Sequence, residues 1–302
     1  MEGVPKGAIR AESEAASQPE PETAAQAGTV PASPAGPRAA SAQPEPEAAA
    51  QPDPEAAVQP EPEPAVRAVD VVRIYGKDEA VVRAVDGVNI CFARARFTAV
   101  MGPSGSGKST LLHCLAGLDQ VTSGKVFLGE LEMSSLGEAD LTKVRRDRIG
   151  FIFQSFNLVP TLTGAENITL PMAIAGRKPD PDWMDHVVGR LGIGDRLSHR
   201  PAEMSGGQQQ RIAAARALVS RPEVVFADEP AGNLDTHAGA ELLELLSWMV
   251  HEASQTIVMV THDPGAAGHT DRAVFLVDGH LAGDIDKPTT AAVVDRIKEL
   301  ES

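Results

Sequence analysis

The sequence predicts an α/β fold: a mostly parallel core sheet, entered through an antiparallel β portion and interrupted by a helical insert. Three observations carry this expectation. After residue 97, apolar runs of four or five residues alternate with helical patterns, and such unbroken runs suit strands covered on both faces. The first of these runs stops at a glycine-rich loop. The stretch from about 155 to 203 holds no such run and reads as helical pieces broken by Pro171, Pro179, Pro181 and glycines.

The chain has 302 residues, but its first part differs from the rest. Residues 1–64 hold 13 of the 23 prolines and neither leucine nor aromatic residues. They carry 11 acidic residues against Lys6, Arg10 and Arg38. A Gln-Pro-acid-Pro-Glu unit recurs from Gln18, Gln43, Gln51 and Gln59. Low hydrophobicity and like charges cannot offset the entropy of ordering such a chain. Residues 1–64 are therefore expected to be a disordered Pro/Ala/Glu-rich tail, either a solvated extension or a tether, and 65–302 the folded domain.

Within that domain, 68–75 reads as a strand on Val69, Val71, Val72 and Ile74. A turn at Gly76-Lys77-Asp78 leads to a second strand through Val81, Val82, Val85 and Ile90, a hairpin-like antiparallel start. The run 97–101 is the third strand. Further buried strands are expected at 150–153, 224–227, 256–260 and 273–277.

Composition removes several function classes. Lys plus Arg is 27 against Asp plus Glu 42, a net charge of −15. Nucleic-acid binding needs a basic face, so no nucleic-acid partner is expected. Two cysteines, Cys91 and Cys114, form no disulfide framework and point to a reducing compartment. No stretch approaches the roughly 18 apolar residues of a spanning helix, and nothing near Met1 resembles a signal peptide. The basic cluster Lys143, Arg145, Arg146 and Arg148 reads as a solvated helix face, with contact to anionic lipid as the alternative.

Chemistry begins at the end of the third strand. Gly102-Pro103-Ser104-Gly105-Ser106-Gly107-Lys108-Ser109, followed by Thr110, matches a phosphate-binding loop. Its glycines let backbone N–H groups face one cavity, and the helix that follows adds its positive end. Lys108 supplies a mobile charge for β- and γ-phosphates, and the Ser109 hydroxyl can ligate Mg²⁺. The run 224–227 ends in Asp228-Glu229. Asp228 would hold Mg²⁺, and Glu229 would polarise the attacking water.

Met204-Ser205-Gly206-Gly207-Gln208 then opens a helical stretch shortly before that strand. This set resembles the signature of ATP-binding cassette (ABC) ATPases, and the P-loop NTPase fold of that family is the one expected. The resemblance covers roughly 66–285, with a helical signature subdomain at about 155–220. It implies that Tyr75 stacks on adenine, that Gln154 is the Q-loop glutamine near the metal, and that His262 is the switch histidine. Asn233-Leu234-Asp235 resembles the D-loop. The segment 158–163, with Glu166-Asn167 and Leu170-Pro171, resembles the subgroup of lipoprotein-release, macrolide-export and antimicrobial-peptide-resistance ATPases. Ala231 stands where that subgroup usually has threonine, and Met204 where it has leucine. Ala95 replaces a usual turn glycine, at a cost if φ is positive there.

The resemblance implies ATP and Mg²⁺ as cofactors and a site shared between two chains. Ser205, Gly206, Gly207, Gln208 and Asp235 would contact the nucleotide of the opposite subunit. A homodimer is expected, with a heterodimer of related cassettes as the alternative. The chain would sit in the cytoplasm on the inner face of the membrane, docked on a separate integral membrane permease. Phe156, Leu158, Val159 and Leu162 are the expected docking residues. The function implied is ATP hydrolysis that energises export or membrane extraction. A cell-division-type ATPase that regulates a membrane partner without moving cargo is the second possibility.

Overall fold

A computed structural model describes residues 64–76 and 80–301. The expected tail 1–64, except its last residue, and the turn at Lys77-Asp78 lie outside the described residues.

Two sheets organise the domain. The smaller has the order β2-β1-β4-β5, built from β1 (Val66–Tyr75), β2 (Val82–Phe92), β4 (Ser123–Leu128) and β5 (Leu131–Glu132). All its pairings are antiparallel, as the hairpin pattern predicts for its first two strands. The larger has six strands in the order β10-β9-β3-β8-β7-β6. These are β3 (Phe97–Met101), β6 (Ile149–Phe153), β7 (Val224–Asp228), β8 (Ile257–Val260), β9 (Arg272–Val277) and β10 (His280–Asp286). Five run parallel, and β10 closes one edge antiparallel to β9.

Besides short 3-10 turns, the described residues hold eight α-helices: α1 (Lys108–Leu115), α2 (Glu138–Arg148), α3 (Gly164–Ile174), α4 (Pro181–Leu191), α5 (Gly206–Leu218), α6 (Thr236–Ala253), α7 (Pro264–Ala267) and α8 (Thr290–Glu301). The central strands are covered on both faces, and their side chains alternate between two apolar clusters. Ala99, Met101, Val225, Ala227, Ile257 and Met259 face one cluster. Val100, Val224, Phe226, Val258 and Val260 face the other. This period of two explains why the runs show no polar alternation.

The insert is helical as expected, but Pro171 does not break it. Helix α3 runs through Pro171, and Ala175 N–H still donates to Pro171 O at 3.1 Å. A capping box between Thr163 and Glu166 starts the helix, and buried Asn167, Ile168 and Met172 hold it in place. The basic residues of α2 are paired: Lys143 with Asp140, Arg145 with Glu138, Arg146 with Asp147, and Arg148 with Glu223. Among the described residues, no helix is long and apolar enough to cross a membrane.

Candidate nucleotide site

Sheet register assembles the site. Val100 of β3 pairs with Val260 of β8, Val260 with Asp228 of β7, and Asp228 with Phe153 of β6. Four strands thus end at one level. The phosphate loop, His262, Glu229 and Gln154 follow within two residues of it. This is the carboxyl edge of a parallel sheet, where open α/β folds bind ligands.

A cavity of about 650 Å³ opens there, lined by Gly102, Pro103, Ser104, Gly105, Gly107, Lys108, Ser109, Thr110, Glu229 and His262, with Ala84, Met101 and Ile297. Its size suits a nucleotide-sized ligand. Gly107 has φ 98°, and a Cβ there would stand 1.9 Å from Ala84 O, so only glycine turns the loop into α1. Lys108 Nζ donates to Pro103 O at 2.7 Å. Burial pushes the Lys108 pKa down, more than the nearby Glu229 and Asp228 raise it. Ser106 Oγ is buried and has no hydrogen-bond partner among the described residues, as a hydroxyl kept for a ligand would be.

The carboxylates stand next to the loop. Ser109 Oγ donates to Asp228 Oδ1 at 3.0 Å. Hydroxyl and carboxylate oxygens are the donors Mg²⁺ prefers, with phosphate and water completing its shell. Among the described residues no group of three or more His, Cys, Asp or Glu could hold a metal ion. Glu229 adopts φ 46°, a left-handed conformation that costs a non-glycine residue about 1–2 kcal/mol. Such strain concentrates at functional sites. His262 Nδ1 lies 3.0 Å from Glu229 Oε1. At Gly232 a Cβ would stand 3.0 Å from Gln154 Nε2 and 3.4 Å from Glu229 Oε2, so glycine lets both side chains crowd that turn. Asn233 Nδ2 donates to Gln154 O at 3.0 Å.

The signature forms a separate surface. Ser205 caps α5 in a capping box: Gln208 N–H donates to Ser205 Oγ at 3.3 Å, and Ser205 N–H to Gln208 Oε1 at 3.0 Å. Gly206 lies beside Phe156 and Leu234, and Gly207 beside Ala238. Asp235 caps α6, accepting from His237 and Ala238 N–H groups. Those bonds, the one from Ala238 foremost, hold its pKa below the ordinary value. None of these five residues lines the cavity.

Tyr75 is not among the residues that line this cavity. Its hydroxyl donates to Asp119, and the Arg73 guanidinium sits 4.4 Å from its ring centroid. Two buried polar residues position the site in ways that sequence reasoning did not assign. Buried Asn167 binds Val159 N–H and O, Leu162 O and Thr163 O, and so shapes the loop after Gln154. Buried Gln210 donates to Phe153 O and Pro230 O. Polarity at core-facing helix positions was the available signal. Cys114 is a core residue, its thiol pushed up to about 12 by burial.

Comparison with known proteins is decisive. The ABC transporter family profile matches residues 85–232. An ABC transporter ATP-binding protein of Thermotoga maritima is 46% identical over 71% of this chain and 92% of its own length. This chain belongs to the ABC transporter family. The lipoprotein-releasing system ATP-binding protein LolD 1 of Chlorobium chlorochromatii is 39% identical over 72% of this chain and 90% of its own length. The macrolide export ATP-binding/permease protein MacB of Marinobacter nauticus is 41% identical over 71% of this chain, but over only 34% of its own length. The dimeric structure of the cassette MJ0796 bound to ADP and Pi superposes with a TM-score of 0.67 at 36% identity, covering 74% of this chain and 98% of that one. The cassette is an ATP-binding and ATP-hydrolysing transporter subunit with the P-loop NTPase fold.

Proposed function

We propose that two copies of this cassette close around two MgATP molecules and energise a separate membrane permease in export or membrane extraction. The convergence of Ser109-Asp228 and Glu229-His262 on the phosphate-loop cavity carries this reading. Lys108 and the loop N–H groups hold the phosphates. Ser109 and Asp228, with Gln154, hold Mg²⁺, which when bound neutralises phosphate charge. Glu229 takes the proton of the attacking water, and His262 orients its carboxylate. The opposite chain supplies Ser205, Gly206, Gly207, Gln208 and Asp235. Likeness to LolD and to the ATPase part of MacB supports the export class. The dimeric MJ0796 structure supports the paired arrangement. The apolar loop Phe156, Leu158, Val159 and Leu162 is the proposed permease contact, and the cytoplasmic face of the membrane the proposed location.

Glu229→Gln tests the site. Glutamine keeps the shape but is a far weaker base, so hydrolysis should fall about 10²–10⁴-fold while ATP binding survives. The loaded variant should then elute as a dimer with ATP and as a monomer without it. Wild-type turnover by Glu229→Gln would show that Glu229 is not the base.

A further inference from the structure

Helix α8 lies beyond the family match at 85–232 and carries none of the motifs, yet it reaches the nucleotide cavity. Ile297 lines the same cavity as Lys108, Glu229 and His262. The helix is firmly seated. Val293 is fully buried in the cluster that holds Ala266 and Ala267 of α7, and Ile297 and Leu300 pack against that cluster. A Cβ at Gly268 would stand 2.9 Å from Thr290 Oγ1, so α8 begins directly on the end of α7. Arg296 Nη2 donates to Ala282 O at 2.5 Å and ties α8 to β10. Helix α7 is capped by Asp263, the residue after His262. An isoleucine is thereby fixed in the same wall as Lys108, Ser109, Glu229 and His262.

We propose that α8 is part of the nucleotide site and that Ile297 is a nucleotide-contacting residue. It is an aliphatic wall that keeps water out of the cavity beside the phosphates. Excluding water strengthens the attraction of Lys108 and the loop N–H groups for the phosphates. The proposal rests on the cavity being the ATP site. It makes a prediction that depends on the sign of charge, which a packing defect would not.

The test compares Ile297→Asp, Ile297→Asn and Ile297→Lys in the full chain, with MgATP affinity measured by calorimetry and folding by thermal melting. Asp and Asn are nearly the same size, so they disturb packing alike and differ in charge. Ile297→Asp is expected to bind MgATP about tenfold more weakly than Ile297→Asn, and Ile297→Lys at least as tightly as Ile297→Asn. Equal affinities of Asp and Asn, or equal loss in Asp and Lys, would overturn the role of Ile297 alone. Failure of the wild-type chain to bind MgATP would overturn both this role and the reading of the cavity.

Discussion

Lys108 shows how a binding residue can work against the empty fold. Its pKa is lowered because the loss of hydration outweighs attraction from Glu229 and Asp228. A lysine whose folded pKa lies below its unfolded one destabilises the fold at pH values below both. The penalty lifts as pH rises through the folded value, because the unfolded state then binds more protons. Lys108→Met should therefore raise the melting temperature of the nucleotide-free chain at neutral pH, and less so at alkaline pH. The same variant should lose the thermal shift that MgATP gives the wild type. A lower melting temperature for Lys108→Met would show that its contacts outweigh its burial. Ala95 is the opposite kind of position, strained without a ligand to serve. Its φ is 51°, and its N–H donates to Thr256 Oγ1 at 3.0 Å. Ala95→Gly keeps that bond and relieves about 1–2 kcal/mol of left-handed strain, less about 0.4–1 kcal/mol for the freer unfolded chain. A net gain of about 0.5–1 kcal/mol is expected in denaturant unfolding. The family comparison in the sequence marked this position, since glycine usually occupies it.

Helix α5 does more than present the signature. Through Gln210 it ties the end of β6, one residue before Gln154, to Pro230, one residue after Glu229. Gln210→Ala leaves both carbonyls without this donor and should cost about 2 kcal/mol. ATP turnover should fall with it, while MgATP affinity changes little because the phosphate loop is untouched. Unchanged stability would mean that water replaces the amide. The strands around this helix were mostly readable from sequence. The runs behind β3, β6, β7, β8 and β9 are short, apolar and buried on both faces, so local composition announces them. Strands β4, β5 and β10 escaped for the converse reason. β4 opens with Ser-Gly-Lys, β5 has two residues, and β10 is a mostly exposed edge strand through Gly283 and Asp284. Their pairing partners, not their own residues, make them strands. Pro171 misled because proline is a breaker by propensity, whereas the capping box and buried face of α3 override it.

For the chain as a whole, the expected boundary near residue 65 has a direct test. A chain lacking residues 1–64 should hydrolyse ATP at close to the full-length rate, because no site residue lies there. Loss of turnover at matched folding would give the acidic tail a part in catalysis. The motif residues could be located in the sequence because each stands at a strand end or a helix start. The roles of Ile297 and Gln210 could not, since they arise from contacts between distant segments, and neither could the tethering of Tyr75 by Asp119. One further contact joins distant parts. Trp183 on α4 stacks on His186, whose ring lies 5.5 Å from that of Trp248 on α6, with Arg221 and Arg190 over the two indoles. These are the only two tryptophans in the chain, and they sit on either side of one seam between the insert and the core. The native fluorescence of this protein is therefore a label already installed at that seam. If ATP swings the insert against the core, emission changes without any dye, and Trp183→Phe and Trp248→Phe assign the change to one side of the seam or the other.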